Sequence, residues 1–294
     1  MKSGKHFRPK ASSWKTGRTA PPAGNAKPFG RPPQAFPPGG PRAAGEESSE
    51  LIFGLHAVEE ALRSGARPLR RLAVVHTDRQ FAPLVELARS AGVPVRIEPR
   101  QAIDRLVPSG RHQGIVAFVG AKAYAELDDI LRAARDRNQP PLVLLLDGVE
   151  DPHNLGAVLR TAEAAGAHGV IIPERRAVGL TATVAKASAG AVEHLPVACV
   201  TNLSRAIEEL KAQNLWVYAL DPSADKSCTA LDLTGPVALV LGGEDKGVRA
   251  GVLEKCDDRA KIPMHGRVAS LNVSAAAAIV LFEVVRQRTR GSGA

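Results

Sequence analysis

Cysteine is nearly absent from the chain, and its three copies stand far apart. Cys199, Cys228 and Cys256 form no C-x-x-C pair and have no histidine at ligand spacing. That pattern argues against a disulfide framework and a zinc site, and fits a reducing cytosol. Long apolar runs are missing as well. The VLLL run at 143–146 falls far short of the roughly 20 residues that a membrane helix needs. No apolar stretch resembling a signal peptide stands at the N-terminus. The first 45 residues are basic and acid-poor, as in a transit peptide, but nine prolines there spoil an amphipathic helix. A cytoplasmic protein with no membrane contact is expected.

Residues 1–50 contain no Val, Ile or Leu. Such a segment cannot bury enough apolar surface to offset its ordering entropy, so disorder is expected there. Residues 1–45 hold nine Lys or Arg and no acid, while the remaining chain holds 30 of each sign. The whole excess of +9 therefore sits in the tail. A basic arm can contact RNA in a salt-sensitive, sequence-blind way, or merely remain solvated. Phe7, Trp14, Phe29 and Phe36 stand among these basic residues and offer surfaces on which bases could stack.

What is present begins at Leu51. The sequence is 44% hydrophobic but only 4% aromatic, and 294 residues allow about two domains. Strand and helix patterns alternate from 51 to 120: a strand and helix within 51–65, a strand at 69–76, a helix at 81–92, and strands at 94–98 and 114–120. They describe a small α/β sandwich. A polar helical stretch at 126–139 ends at Pro140-Pro141, a natural boundary. Beyond it, strands are expected at 142–147, 169–173, 195–200, 215–221 and 237–243. Helices are expected at 154–165, 181–189, 203–213 and 274–288. Nearly continuous apolar strands between amphipathic helices indicate a parallel sheet covered on both faces. Ligands of such sheets bind beyond the carboxyl ends of the strands.

Three blocks follow those ends. DGVEDPHNLGAVLRTA (147–162) places Asn154 where it could cap a helix, with Arg160 two turns in. Taken alone, Arg160 reads as an ordinary solvated helix residue. LGGEDKG (241–247) has a glycine pair suited to a tight turn and close backbone approach. It is neither G-x-G-x-x-G nor a P-loop, and its Glu244 could accept hydrogen bonds from a ribose or base. SLNVS (270–274) precedes an Ala-rich helix, with Ser274 as the expected cap and Ser270 and Asn272 on a polar loop. Consecutive alanines suit a tightly packed or oligomeric interface. No Ser-His-Asp arrangement, H-E-x-x-H or carboxylate-rich metal cluster stands out, so no metal is expected.

In combination the three blocks resemble motifs 1, 2 and 3 of the SpoU (TrmH-type) branch of the SPOUT RNA 2′-O-ribose methyltransferases. The likeness covers 142–288. IFGLHAVEEAL (52–62) and HQGIVA (112–117) resemble the L30e-like substrate-binding domain carried by some members, a pairing most like those that modify a guanosine of bacterial 23S rRNA. The long basic tail departs from that compact form.

The resemblance implies a division into a disordered basic tail (1–48), an L30e-like RNA-binding domain (49–122), a helical linker (123–140) and a SpoU-type domain (141–294). The last is expected to be an α/β fold with a parallel sheet and a deep trefoil knot, and to form a homodimer through the knot. S-adenosylmethionine is the implied methyl donor, bound by Gly242, Gly243, Ile262, Leu271 and the loop after Leu220. Asn154, Arg160, Glu244, Ser270 and Asn272 are implied at the reacting edge. The expected substrate is a guanosine in the peptidyl-transferase region of 23S rRNA. The alternatives are a tRNA guanosine, or a silent RNA-binding assembly factor.

Overall fold

The computed structural model describes residues 50–107, 111–244 and 246–291. The expected disordered tail and its aromatic residues lie outside the described residues. Two sheets organise the rest. The first has the order β1-β4-β2-β3, from strands Glu50–Phe53 (β1), Leu69–Val74 (β2), Val95–Ile97 (β3) and Ile115–Val119 (β4). β4 runs antiparallel to β1 and β2, while β2 and β3 are parallel. Helices Leu55–Ser64 (α1) and Ala82–Ser90 (α2) bury Val58, Ala61, Leu84 and Val85 in the main core. A third helix, Arg100–Leu106 (α3), places Ile103 in a separate cluster with Phe53 and Val116.

The second sheet is wholly parallel, as the apolar runs imply. Its strands are Leu142–Asp147 (β5), Gly169–Pro173 (β6), Val197–Val200 (β7), Trp216–Leu220 (β8), Val237–Gly242 (β9) and Asp258–Ala260 (β10), in the order β10-β8-β9-β5-β6-β7. Both faces are covered. Leu142, Leu144 and Leu146 of β5 point into one cluster, and Val143 and Leu145 into the other. This is the two-residue period of a strand acting inside a run too apolar to display it. On the first face lie helices Pro152–Ala164 (α5), Ala182–Ala187 (α6) and Val273–Gly291 (α9). Leu127–Asp136 (α4), Leu203–Ala212 (α7) and Ala250–Leu253 (α8) lie on the second. The helix within the stretch expected as a linker, α4, packs on the second face of the sheet, with Ile130 fully buried.

Three short elements, α3, α8 and β10, have no counterpart in the sequence-based expectation. α3 and α8 each bury a single residue, Ile103 and Val252, so neither shows an apolar stripe. β10 carries Asp258 and Arg259 at a sheet edge. Two expected caps are also displaced. Asp151 caps α5 by accepting the His153 backbone N–H at 2.9 Å, with Pro152 as the first helical residue. Asn272 rather than Ser274 caps α9, its side-chain oxygen accepting the Ser274 N–H at 2.8 Å.

The two sheets share one apolar core and a buried ion pair. Arg67 donates to Glu193 through Nε at 3.1 Å, and both side chains are almost fully buried. Lys122 donates to the Glu193 carbonyl at 3.2 Å. Among the described residues no helix is long and apolar enough to cross a membrane.

Candidate active site

The carboxyl ends of β5, β8 and β9 converge with the loop before α9. β9 ends in Gly242-Gly243, and a Cβ on either residue would collide with backbone. One at Gly242 would lie 1.9 Å from the Gly247 carbonyl carbon, and one at Gly243 would lie 1.9 Å from the Gly148 oxygen. Only glycine permits that approach. The turn is anchored to β5: the Gly243 N–H donates to the Asp147 carbonyl at 2.9 Å. The buried Asp147 carboxylate accepts from the Arg249 backbone N–H at 2.9 Å and from its Nε at 2.7 Å. Glu244 is therefore held by both flanks of its turn.

Because Asp151 supplies the cap, the Asn154 side chain is left to cross to the other loops. Its Nδ2 donates to the Glu244 carboxylate. Its Oδ1 accepts from Asn272 Nδ2 at 3.0 Å. Asn272 in turn accepts from the Ser274 backbone and hydroxyl through Oδ1. One hydrogen-bonded chain thus joins the three sequence blocks.

Beside it lies a cavity of about 190 Å³. Gly242, Gly243, Leu220, Ile262 and Leu271 all line it, together with Glu244 and Ser270. The loop after Leu220 contributes Asp221 to the same walls, and sequence reasoning missed Lys261, Met264 and Ala276 there. Asp221 directly follows Leu220, the last residue of β8, so it stands just beyond a strand end. Burial pushes the Asp221 carboxyl up, but the Ser223 hydroxyl and N–H with Arg259 outweigh it and hold the group below its ordinary range. Asp221 is therefore a charged acceptor at the cavity wall. The loop at its mouth leaves Met264, Val268 and Leu271 uncovered. Apolar side chains and accessible backbone suit a flat heteroaromatic ring, while Asp221 and Glu244 suit hydroxyls. These residues fit an adenosine-bearing methyl donor.

Arg160 stands elsewhere in this chain. It lines a separate groove with His56, Glu60, Glu163, Ser188 and His194. His153, the histidine nearest the motifs, is exposed and contributes its backbone N–H to the helix cap.

Two family models match, SpoU rRNA Methylase over residues 141–282 and RNA 2′-O ribose methyltransferase substrate binding over 51–125. YacO of Bacillus subtilis, named a TrmH family tRNA/rRNA methyltransferase, is 48% identical over 243 residues, which cover 82% of this chain and 97% of that protein. The 23S rRNA (guanosine-2′-O-)-methyltransferase RlmB of Xylella fastidiosa is 44% identical over 245 residues, covering 83% and 98%. The structure of the SpoU methyltransferase AviRb from Streptomyces viridochromogenes with AdoMet superposes with a TM-score of 0.72 at 27% identity, covering 82% and 91%. On the two matching models, this sequence identity and the shared fold, the chain belongs to the SpoU family of S-adenosylmethionine-dependent RNA 2′-O-ribose methyltransferases.

Proposed function

We propose that this protein methylates a guanosine ribose 2′-hydroxyl in the peptidyl-transferase region of 23S rRNA, as a cytoplasmic homodimer. The observation that carries the reading is the Asn154–Glu244–Asn272 junction at the rim of the donor cavity. The 23S specificity named for the RlmB relative supports the choice of RNA. Residues 49–122 would hold the RNA, the helix within 123–140 would join them to the catalytic domain of 141–294, and the basic tail would add sequence-blind contact.

S-adenosylmethionine supplies an electrophilic methyl group on a sulfonium. Leu220, Ile262, Leu271 and the Gly242-Gly243 backbone would hold its adenosine, with Ser270 on the wall. The chain's remaining task is to align the ribose hydroxyl and stabilise its developing charge. Arg160 suits a phosphate clamp or alkoxide partner better than a base, since a guanidinium keeps its proton at working pH.

Arg160 sits in a different groove from Glu244, so a second copy would have to supply it. α9 supports that arrangement. It leaves Ile279 and Phe282 43% and 49% exposed beside its packed face, an apolar patch for a second copy. The contacts of α9 with the 231–235 segment, through Gln287 and Arg288, suit the trefoil crossing of the family. Mixed dimers of Arg160→Ala and Glu244→Ala subunits, each inactive alone, would regain activity if the site is shared.

The direct test is methyl transfer from labelled S-adenosylmethionine to unmodified 23S rRNA and, separately, to tRNA. Label on one 23S guanosine ribose is expected. Label on tRNA alone would overturn the substrate. No transfer and no donor binding would leave a silent assembly factor.

A further inference from the structure

A second cleft, of about 280 Å³, lies across the Gly243–Gly247 turn from the donor cavity and shares Gly243, Glu244 and Gly247 with it. Its charged residues fall into two groups. Asp147 and Arg249 satisfy each other and form a fixed floor. Glu150, Arg176 and Lys246 line the same cleft, and none makes a hydrogen bond or ion pair with another described residue. Arg176 is further marked by its backbone, with φ +60° in the left-handed region. A non-glycine residue is strained there, and such positions cluster at ligand sites. Arg176 is thus held in a costly conformation, lining a cleft where it has no partner among the described residues.

A carboxylate and a guanidinium in one cleft match a particular base. Guanine presents two acceptors, O6 and N7, on one edge and two donors, N1–H and N2–H, on another. Arginine is the usual bidentate partner of the first edge, and a carboxylate complements the second. Adenine would set its amino group against the arginine and an unprotonated nitrogen against the carboxylate. A base whose ribose must reach the Glu244 rim can enter this cleft, because Glu244 borders both cavities. We infer that the cleft between Glu150 and Arg176 is the pocket for the target base, and that these two side chains select guanine. Arg176 reads O6 and N7, Glu150 reads N1–H and N2–H, and Lys246 at the rim faces the backbone phosphate. This deepens the proposed function and rests on it.

The test uses the full chain and transcripts of the 23S target region in which the methylated guanosine is replaced by inosine, lacking N2–H, or by 7-deazaguanosine, lacking N7. The wild type is expected to lose about tenfold in kcat/KM on each analogue. Arg176→Ala and Glu150→Ala should each lose about 10- to 100-fold on the natural transcript, with donor affinity by calorimetry unchanged. Each variant should then ignore one analogue: Glu150→Ala the inosine, Arg176→Ala the 7-deazaguanosine. Both side chains are exposed, so the variants should keep wild-type circular dichroism. Unaltered kcat/KM in both variants, or retained sensitivity to the matching analogue, would overturn the inference while leaving the methyltransferase reading intact. Weakened donor binding without RNA would assign Arg176 to the donor instead and would also overturn it. A wild type that methylates no guanosine ribose would bring down the proposed function together with this pocket.

Discussion

Asn272 donates to the Asn154 side-chain oxygen at 3.0 Å across 118 positions of sequence, while Asn154 donates to Glu244. Neither asparagine lines the cavity between β8 and β9, yet together they hold the Glu244 carboxylate at its wall. Removing either should release the same carboxylate. Asn154→Ala and Asn272→Ala are each expected to lower kcat about tenfold or more, and the double variant to lose little beyond the worse single, as residues of one network couple. Additive losses in that double-mutant cycle would show that the two act separately.

The glycine pair gives a sharper contrast. A methyl group at Gly243 would sit 1.9 Å from the Gly148 carbonyl oxygen, whereas one at Gly251 meets nothing within 4 Å. Gly243→Ala should abolish donor binding by calorimetry, because the turn must shift to admit it. Gly251→Ala, in a helix, should be neutral or stabilising by about 0.5–1 kcal/mol. Equal donor affinity in the two variants would refute the close-approach account of the turn.

Most of this architecture is written in local patterns. The apolar runs of β5, β6 and β9 disclose a sheet buried on both faces, and the motif blocks mark the strand ends beside which a cavity opens. Asp151 takes the cap expected of Asn154, and Pro152 at the first helical position is the local signal that favours it. What stays hidden depends on partners distant in sequence. Met264 and Ala276 join the cavity from segments more than 40 positions beyond Leu220, brought there by packing alone. The distance between Arg160 and Glu244 is likewise invisible: both sit in motif blocks, and only packing reveals that they face different grooves.

The Arg67–Glu193 pair was equally silent, because each residue reads as a surface charge. Their side chains are 4% and 0% exposed. Without Glu193, Arg67 keeps only the Glu50 carboxylate at 3.2 Å and the Gly120 carbonyl at 3.4 Å among the described residues, so Glu193→Ala should cost up to about 3 kcal/mol. Replacing both, as Arg67→Met with Glu193→Leu, should cost less than either single change, because the desolvation of both charges disappears with them. Urea unfolding of the three variants checks this. A double variant less stable than both singles would contradict it.

His168 makes stability depend on pH. Its ring is fully buried, with Nδ1 accepting the Leu142 N–H at 3.0 Å and Nε2 facing Gln139 at 3.3 Å. Burial, reinforced by the positive charges of Arg137 and Arg288, lowers its pKa to about 4. The unfolded chain, with an ordinary imidazole near 6.5, therefore takes up the proton first as pH falls. The contribution of this group is fully present above about pH 6.5 and is lost progressively toward pH 4, by at most about 3 kcal/mol. His168→Leu should be less stable at pH 7, since the Leu142 N–H loses its acceptor. It should nevertheless show a flatter fall in urea midpoint between pH 6.5 and 4.5 than the wild type. Parallel curves for the two proteins would mean that the folded chain protonates His168 as readily as the unfolded one, and would refute the lowered pKa.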